Sequence, residues 1–396
     1  FDNAEGQLRT LLTENAEFSG ARETLLQTLI HSGQINKIHA EIRNTADTDR
    51  NLAWLRHVTD FLIEQGDPNY LEPLSTYWQR SQTPEIFREY LSRLLSAGDH
   101  QTAKTLLEEY SSLRSTDDHW RWGTTLWLRE NREHEALLSF VEEGVLKHDL
   151  LESACIAHFA LGHYAQALDL AQRLCREAPG DQHFLAMLVT ALRCLEDPRY
   201  SALVDPSRMI AVLQMQTSEE GEPGDTRFWE TIAADLDVHH SMVAAPQMQS
   251  VRQGIQTPGN LLTQTAQPTL IQLKTMIERA CQQFFQGEWL TQLAEPHPVR
   301  MFRPKHLSMH ASWGIRGQAG TYHQSHVHSK GWYSGTCYIE VPETVNGAAD
   351  AGCLIFGEPP FETKDSLPPA AVIQPIPGRL VLFPSYFWHG TRTYSG

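Results

Sequence analysis

The sequence predicts an α+β protein of two unlike parts: an α-solenoid of helical hairpins, then a β-sandwich or small barrel with supporting helices. Turn-like segments recur at a nearly constant spacing through residues 1–205, which is typical of a helical repeat array. After about residue 300, short apolar runs alternate with Pro and Gly, which indicates short strands. A third observation, the three histidines within residues 323–328, indicates a candidate site in the second part.

Five turn segments mark the repeats of the first part. Their anchors are spaced by 33, 32, 33 and 31 residues: Gly33, Gly66, Gly98, Asn131 and Gly162. A sixth segment follows around Glu196. Gly or Asn suits the left-handed turn that ends a first helix, and a small residue five positions later lets the second helix pack closely. That later position holds Ala103, Ala136 and Ala167.

The best copy, ACIAHFALGHYAQALDLAQRLCREAPGD at residues 154–181, resembles a tetratricopeptide repeat in its Gly162, Tyr164, Ala167 and Pro179. Stacked repeats of this kind form a superhelix whose concave face commonly holds peptides. A role as a scaffold or dimer surface is the equal alternative. Five tryptophans suit either a core or a groove: Trp54, Trp78, Trp120, Trp122 and Trp127.

Composition argues against two classes of partner. The chain has 396 residues and a formal net charge of −16, without a cluster of Lys and Arg, so we expect neither a nucleic acid nor an anionic membrane surface as partner. No apolar run approaches the length of a membrane span, and MIAVLQM at 209–215 is among the longer ones. The six cysteines form no CxxC pair and are typical of reduced core residues, which predicts a cytoplasmic protein.

The second part begins after an acidic segment broken by Gly and Pro at residues 216–225, which is typical of a loop. We therefore predict a repeat domain at 1–205 and a second domain at 206–396, with the barrel core at about 300–396. Between Pro268 and Gly287, apolar residues recur at helical spacing and predict one amphipathic helix lying against a sheet. Strands are predicted in five segments: 311–317, 333–342, 352–359, 372–378 and 379–390. GIQTPGN at 254–260 is predicted as a turn, because it lacks the Lys and Ser/Thr of a phosphate-binding loop.

The histidines suggest a metal site. His326 and His328 lie two apart, and residues two apart in an extended strand point to the same face. His389 closes a later strand, 61 residues after His328. A His-x-His pair with a distant third histidine is an arrangement that leaves open positions on an iron for substrate and oxygen. Three unrelated histidines are the alternative, but the shared face and the strand-end position favour a metal site, with His323 beside it or in contact with substrate.

Ordered motifs within residues 200–396 also carry a family resemblance. They are QSVRQGIQTPGNLL, ASWGIRG, HVHSKGWYSGTCYIEVPE, GCLIFGEPP and PGRLVLFPSYFWHGTRTYSG. Together they resemble the 2-oxoglutarate/Fe(II)-dependent oxygenases found behind tetratricopeptide repeats in bacteria. The resemblance implies a double-stranded β-helix of jelly-roll or cupin type, one Fe(II), 2-oxoglutarate as co-substrate, and an oxidised product with succinate and carbon dioxide. It also makes His326 and His389 the two histidines of the iron-binding triad.

One position departs from the common pattern of such enzymes. His328 stands where most relatives outside this group carry aspartate. A neutral imidazole removes one negative charge from the site, yet it can still ligate iron. Three-histidine iron centres occur in thiol dioxygenases on related barrels, which need no 2-oxoglutarate. Thiol dioxygenation is therefore the chemical alternative.

The co-substrate side has fewer candidates. In the resembled family an arginine about ten residues past the last histidine clamps the distal carboxylate of 2-oxoglutarate, a bidentate task that arginine suits. The sequence ends at Gly396, seven residues after His389, so we expect that arginine and a final strand to lie outside these residues. Arg392, and more weakly Arg316, are the cationic candidates within them.

Hydroxyl candidates come from the strand after the His-x-His pair. Ser334 and Tyr338 share the face of the histidines if the alternation continues, and Tyr338 is the favoured hydroxyl partner. Trp313 and Trp332 are predicted either to wall the pocket or to pack in the core.

The sequence thus predicts a 2-oxoglutarate/Fe(II) oxygenase that hydroxylates a peptide or protein side chain, because a repeat array is a large device for recruiting a small metabolite. A small-molecule oxygenase with repeats used for assembly and a non-catalytic peptide-binding protein with a degenerate barrel are two further hypotheses.

Overall fold

The computed structural model describes residues 1–14, 19–44, 52–114, 117–142, 148–215, 227–240, 249–257, 260–346 and 350–395. The chain forms two compact units. The first comprises Phe1–Asn131 and Val243–Gln249, and the second comprises Arg132–Met242 and Ser250–Gly396. The predicted division after residue 205 follows the repeat pattern and stays a prediction, whereas the compact units divide earlier. The predicted loop at 216–225 lies outside the described residues.

The first unit consists of helical hairpins in its described part. Its helices are α1 (Asp2–Glu14), α2 (Ser19–His31), α3 (Ile35–Asn44), α4 (Leu52–Glu64), α5 (Glu72–Ser81), α6 (Pro84–Ser96), α7 (His100–Arg114) and α8 (Asp118–Glu130). Local sequence explains where several of them begin. The Asp117 carboxylate accepts the Trp120 N–H at 2.8 Å and caps α8, while Thr83 and a first-turn proline begin α6.

The predicted left-handed glycines end helices as expected. Gly33, Gly66, Gly98 and Gly162 have φ of +67°, +70°, +75° and +76°. At each one, the glycine N–H bonds the carbonyl three residues back and the next N–H bonds the carbonyl five residues back. This is the hydrogen-bond pattern of a Schellman C-cap, in which glycine avoids the strain of a Cβ. The helical-hairpin prediction is confirmed at these turns.

The fourth anchor was predicted one residue too early. Asn131 has φ of −89° and bonds the Trp127 carbonyl through both its N–H and its side-chain amide, so it caps α8 without turning left-handed. The left-handed residue is Arg132, with φ of +59°. The register of the next helix shifts accordingly: Ala136 is exposed, and Leu137 takes the buried position that Ala103 and Ala167 hold elsewhere.

The first unit has a core made by helices. Phe87 and Tyr110 stack with ring centroids 3.9 Å apart, and Trp78, only 4% exposed, packs on both. Trp78 is therefore a core residue. The other four tryptophans of this unit are half-buried against the same core: Trp54, Trp120, Trp122 and Trp127.

The second unit adds ten helices in its described part: α9 (His134–Glu142), α10 (His148–Leu161), α11 (Tyr164–Glu177), α12 (Gln182–Cys194), α13 (Arg199–Leu203), α14 (Pro206–Met209), α15 (Arg227–Asp237), α16 (Leu261–Gln264), α17 (Pro268–Phe285) and α18 (Pro298–Met301). Helices α9 to α12 continue the hairpin pattern, each contacting the next. Among the described helices of either unit, none is long and apolar enough to cross a membrane.

The strands of the second unit are short. They are β1 (Ala211–Gln214), β2 (Val251–Gln256), β3 (Ile315–His323), β4 (Tyr333–Cys337), β5 (Leu354–Phe356), β6 (Ala371–Ile373), β7 (Arg379–Pro384) and β8 (His389–Thr391). All pairings are antiparallel, in the orders β1-β7-β4, β2-β3 and β6-β5-β8. Each of the five predicted segments contains at least part of a strand; β1 and β2 were not predicted. The described strands form three small sheets, so the double-stranded β-helix is not confirmed.

The β2-β3 sheet adjoins the β6-β5-β8 sheet, and the two face the β1-β7-β4 sheet. The Gly320 N–H donates to the Tyr394 carbonyl at 2.9 Å, so β3 continues towards the chain that follows β8. Across the gap between layers, the Phe383 ring of β7 contacts the Phe356 ring of β5, with centroids 4.9 Å apart. Aromatic rings therefore lie between β5 and β7.

The predicted amphipathic helix at 268–287 is confirmed as α17. Its Leu270 and Leu273 are buried and belong to one core cluster with Leu380 and Leu382 of β7. Pro268 lies in the first turn, where its missing N–H has no intrahelical partner to lose. The helix covers one face of the β1-β7-β4 sheet.

The other face of the β1-β7-β4 sheet shares its core with the repeat helices. One cluster joins Phe159, Ala167 and Ala186 of α10, α11 and α12 to Val381 and Phe383 of β7. All five side chains are at most 2% exposed. The last hairpins of the repeat array are therefore part of the hydrophobic core of the strand region.

Candidate metal centre

Two histidines face each other where the chain after β3 meets β8. The His326 N–H donates to the His389 carbonyl at 2.9 Å, and the His389 N–H donates to the His326 carbonyl at 3.0 Å. Such a reciprocal antiparallel pair sets the residues directly opposite each other with both side chains on one face. Their ring centroids are 4.2 Å apart. The backbone thus brings together two imidazoles that are 63 residues apart in the sequence.

The same backbone orients the two rings. His326 Nδ1 lies 2.9 Å from the Gln324 carbonyl oxygen, and His389 Nδ1 lies 2.9 Å from the Phe387 carbonyl oxygen. A carbonyl oxygen only accepts, so each Nδ1 carries the proton and each Nε2 keeps its lone pair. This is the tautomer that a metal-ligating histidine needs, held by the hydrogen bond at its other nitrogen.

His328 completes the cluster. Its ring centroid lies 5.1 Å from that of His326 and 5.1 Å from that of His389. One ring nitrogen from each of the three histidines lies within 4.8 Å of the others, and no carboxylate or thiol of the described residues joins them. Three imidazoles form a donor set that suits iron, zinc, copper or nickel, so the residues present fit a ferrous ion.

Burial keeps the cluster neutral. It lowers the pKa of His328 to about 4 and lowers the pKa of His326, because a charged imidazole would lose its hydration. His389 is buried, and desolvation together with the neighbouring imidazoles holds its pKa well below 6.5. Since only neutral imidazole ligates a metal, the lowered pKa values keep the cluster ready to bind at neutral pH.

Aromatic side chains surround the cluster on two sides. The Phe383 ring contacts that of His389, with centroids 4.5 Å apart, and it excludes water from that side of the imidazole. The Trp313 ring lies nearly parallel to that of His328, with centroids 6.4 Å apart and an interplanar angle of 16°, and it is 43% exposed, so it is not a core residue. Trp332 packs differently: its Nε1 donates to the Val299 carbonyl at 2.9 Å within the core.

His323 lies beside the three histidines without joining them. Its ring stacks on His326 with centroids 6.2 Å apart, and its Nδ1 lies 3.2 Å from the Ser250 Oγ. Burial lowers its pKa to about 4. It therefore adds a neutral, oriented imidazole next to the cluster.

The predicted hydroxyl candidates lie on and just after β4, and their place on the face of the histidines stays a prediction. Tyr333 and Cys337 pack in the cluster under α17, which turns the Cys337 thiol away from the histidines. The Ser334 Oγ lies 2.8 Å from the Ser385 Oγ. Tyr338, just past β4, is packed against the core on the other side, and its hydroxyl is buried without a hydrogen bond of normal geometry. Burial raises the pKa of that hydroxyl, so it stays protonated and can donate a hydrogen bond.

Both arginine candidates have carboxylate partners. The Arg392 guanidinium makes a bidentate pair with Glu358, at 2.8 and 2.6 Å, and its Nε lies 3.4 Å from Asp350. These contacts raise the pKa of Arg392. Arg316 lies 3.2 Å from Asp237 and is largely exposed. The backbone therefore orients the histidines, whereas the guanidinium groups of both arginines are paired with carboxylates.

Several contributors to the site were not found from the sequence. The carbonyls of Gln324 and Phe387 orient two histidines, and the Ser385 carbonyl accepts the His328 N–H at 3.2 Å. Any residue supplies a carbonyl, so no side-chain pattern could have indicated these positions. Phe383 was part of a predicted strand, but the strand pattern alone could not indicate that its ring contacts His389.

Comparison with known proteins bears on the C-terminal segment. Residues 311–396 match a family described as "Putative 2OG-Fe(II) oxygenase". All three cluster histidines lie in this segment. No curated protein matches the chain.

Solved structures of repeat proteins resemble part of this chain. One is a tetratricopeptide repeat protein from Parabacteroides merdae, at 12% identity and a TM-score of 0.34, covering 50% of this chain and 81% of that one. MamA from Desulfovibrio magneticus matches at 15% identity and a TM-score of 0.30, covering 38% of this chain and 88% of that one. Pseudomonas aeruginosa PilF matches at 19% identity and a TM-score of 0.28, covering 46% and 88%. These scores are low, so the helical-repeat assignment rests on the hairpins of this chain itself. The family match confirms the resemblance seen in the sequence motifs: residues 311–396, which follow the helical hairpins, are similar to the 2-oxoglutarate/Fe(II) oxygenase family.

Proposed function

We propose that the second unit is a 2-oxoglutarate- and Fe(II)-dependent oxygenase that hydroxylates a peptide or protein side chain. The observation that carries the proposal is the orientation of His326 and His389, whose Nδ1 protons are held by carbonyls so that both Nε2 lone pairs are free. With His328, these residues would hold one ferrous ion. That ion would couple the oxidative decarboxylation of 2-oxoglutarate to the oxidation of a substrate C–H bond.

The protein's own residues would do three things around this metal. Phe383 excludes water below His389, and Trp313 offers an exposed aromatic wall for a substrate beside His328. Tyr338 is proposed to donate its buried, unsatisfied hydroxyl to a carboxylate of 2-oxoglutarate, with Ser334 as a second hydroxyl. The sheets around these residues are proposed to belong to a double-stranded β-helix.

The distal carboxylate of 2-oxoglutarate needs a cation. Arg392 could supply it only by exchanging one bidentate carboxylate, that of Glu358, for another. Arg316 would have to leave Asp237 in the same way. If Arg392 is the cation, Arg392→Gln should raise the KM for 2-oxoglutarate, while Arg316→Gln should leave it unchanged.

The absence of a carboxylate from the described cluster supports a second candidate. A neutral three-histidine donor set is also that of iron thiol dioxygenases, so thiol oxidation without 2-oxoglutarate is the alternative function. Two further candidates are a small-molecule oxygenase whose repeats serve assembly and a peptide-binding protein without catalytic activity. The helical hairpins support recruitment of a peptide, since stacked hairpins commonly bind extended chains.

Product analysis separates these candidates. The full chain, loaded with Fe(II) under anaerobic conditions, is mixed with oxygen and 2-oxoglutarate, and succinate is measured. We expect succinate from the wild type, none from His389→Ala, and wild-type amounts from His57→Ala, a variant of an exposed histidine in the first unit. If oxygen is instead consumed with cysteine and no succinate forms from 2-oxoglutarate, thiol dioxygenation replaces the proposed function.

The cysteines bear on the location of the protein in the cell. All six cysteines are free thiols, in agreement with a reduced environment. We therefore propose a cytoplasmic location.

A further inference from the structure

The turn that leads into His389 carries two supports of the cluster. Ser385, Tyr386, Phe387 and Trp388 are each at most 5% exposed. The Phe387 carbonyl accepts the Nδ1 proton of His389, and the Ser385 carbonyl accepts the N–H of His328. A small displacement of this turn would therefore change the orientation of two of the three histidines at once.

Helix α12 holds this turn through Thr190. The Trp388 Nε1–H donates to the Thr190 Oγ at 2.9 Å, and both groups are buried. The Thr190 hydroxyl in turn donates to the Ala186 carbonyl one helical turn back, at 2.8 Å. The His183 ring, also on α12, meets the Trp388 ring edge-on at 5.4 Å. The indole of Trp388 is thus held by a hydrogen bond to α12 and packs against His183 of that helix and against Phe361, whose ring it meets edge-on at 5.8 Å.

The ends of α12 reach the neighbouring segments. At its first residue, the Gln182 N–H donates to the Ser329 carbonyl at 3.0 Å, and Ser329 directly follows His328. Near its last turn, Arg193 Nη1 donates to the Gly357 carbonyl at 2.9 Å. The Gly357 N–H donates to the Trp388 carbonyl at 2.8 Å. One helix of the repeat array therefore holds the chain next to His328 and the chain next to His389.

We propose that helix α12 is the positioning element of the histidine cluster and that Thr190 is the positioning residue for His389. The proposal rests on the proposed metal-binding role of the cluster. Helix α12 lies outside residues 311–396, which match the oxygenase family, so the metal centre requires a helix that this segment lacks. The helix belongs to the hairpin array, and it acts here as a wall of the oxygenase unit.

The physical reason lies in the cost of an unpaired buried donor. Without the Thr190 hydroxyl, the Trp388 Nε1–H would lose its acceptor inside the core, and the turn would have to shift to recover one. Since His326 and His389 are paired through their backbones, the shift would separate the ring nitrogens that must converge on one ion. Supporting residues of this kind typically change metal affinity without being ligands.

Cobalt binding tests the His389 side of the proposal. The full chain is titrated with Co²⁺ alone, and affinity is read from its visible absorption bands, with thermal stability measured in parallel. Thr190→Val keeps the shape but removes the acceptor, and it should weaken Co²⁺ binding by about tenfold and alter the bands. Thr190→Ser keeps the hydroxyl, so its Co²⁺ affinity and absorption bands should be those of the wild type. Trp388→Phe removes the donor and with it the link between the turn and α12, so it should also weaken Co²⁺ binding. Because no unpaired donor then remains, adding Thr190→Val to Trp388→Phe should have little further effect.

Thr125 supplies the matched control. It is a helical threonine, 1% exposed, whose hydroxyl bonds the Arg121 carbonyl at 2.8 Å, as the Thr190 hydroxyl bonds the Ala186 carbonyl. Thr125→Val removes a helical hydroxyl without leaving a buried side-chain donor unpaired, and it should leave Co²⁺ binding unchanged. If Thr190→Val and Trp388→Phe both bind Co²⁺ like the wild type, the positioning role is wrong while the metal site stands. If the wild type itself fails to bind Co²⁺, the metal site and the positioning role are both wrong.

A backbone variant tests the His328 side. Gln182 occupies the first position of α12, where proline is tolerated because its missing N–H is not needed by the helix. Gln182→Pro deletes the N–H that Ser329 accepts, and Gln182→Ala removes only the side chain. Weaker Co²⁺ binding by Gln182→Pro than by Gln182→Ala would support the role of this contact, and equal binding would contradict it.

Discussion

Helices α6 and α7 of the first unit and α10 and α11 of the second meet at a left-handed glycine, Gly98 and Gly162, and both pairs bury an alanine five residues later. Their surroundings differ. The first pair packs in a core made by helices, to which it contributes Phe87 and Tyr110, whereas the second pair packs on strand residues such as Phe383. The same type of helical hairpin therefore packs among other helices in the first unit and against strands in the second unit.

The difference shows what local sequence controls. The glycine and the alanine specify that two helices turn and pack closely, because both act within a few residues. They do not specify which surface the hairpin then covers. That choice depends on apolar residues far along the chain, so equal repeat signals can have unequal consequences when a hairpin is removed or altered.

Deletion should give the largest contrast between the two regions. Removing residues 1–131 takes away helices that have their own core, so residues 132–396 should still unfold cooperatively and bind Co²⁺. Removing residues 1–205 also strips Phe159, Ala167 and Ala186 from the core of β7 and should leave no cooperative transition. Thermal unfolding followed by circular dichroism measures both. A cooperative transition and Co²⁺ binding in the shorter chain would show that the strand region folds without the hairpins.

Matched cavities in the two cores should separate stability from metal binding. Phe87→Ala and Phe383→Ala each remove a side chain that is at most 2% exposed, and each should cost about 3–5 kcal/mol of unfolding free energy. Only Phe383 contacts His389, so only Phe383→Ala should weaken Co²⁺ binding. Urea unfolding and Co²⁺ titration give the two readouts. An equal effect of both variants on Co²⁺ would mean that the cluster responds to general stability.

Acid should affect the second unit through its histidines. Burial lowers the pKa of His328 and of His323 to about 4 from an ordinary value of 6.5. Between these values the unfolded chain binds more protons than the folded one, so stability without metal should fall as pH drops from 6.5 towards 4. His328 alone accounts for about 3 kcal/mol at most. Urea unfolding at pH 7.0 and 5.0 tests this expectation, and His328→Gln should reduce the difference; a pH-independent stability over this range would contradict the burial of these groups.

The smallest difference is expected between two alanine positions, because the register of the helix after Arg132 is shifted by one residue. Ala167 is fully buried in the second unit, and Ala167→Leu should cost about 1–3 kcal/mol through overpacking. Ala136 is exposed, so Ala136→Leu should change stability by less than about 0.5 kcal/mol. A large loss of stability for Ala136→Leu would mean that Ala136 is buried, as the register predicted from the sequence alone requires.

The sequence predicted those features that depend on local geometry. Glycine anchors gave four of the hairpin turns, and the two-residue alternation put His326 and His328 on one face. The fourth turn slipped by one residue because Asn131 can cap a helix through its side chain as well as turn left-handed. Strand β1 was missed because Ala211–Gln214 is a short apolar run with no turn residues of its own to mark it.

Long-range features could not be predicted in this way. Thr190 and Trp388 are 198 residues apart, and nothing in either local sequence marks them as partners. The carbonyls that orient His326 and His389 belong to the backbone, which carries no sequence signal. The pairing of Arg392 with Glu358 likewise depends on how the chain after β5 meets the chain after β8. Predicting these contacts requires the tertiary structure.

The central claim is that three imidazoles of the second unit bind one metal ion. X-ray absorption of the anaerobic Fe(II)-loaded protein counts the imidazole ligands directly. We expect one tightly bound iron with three imidazoles in the wild type and two in His328→Ala, while His328→Asp should keep iron with two imidazoles and a carboxylate oxygen. His326→Ala and His389→Ala should retain no stoichiometric iron. A wild-type spectrum with fewer than three imidazoles, or one that His328→Ala leaves unchanged, would contradict the account.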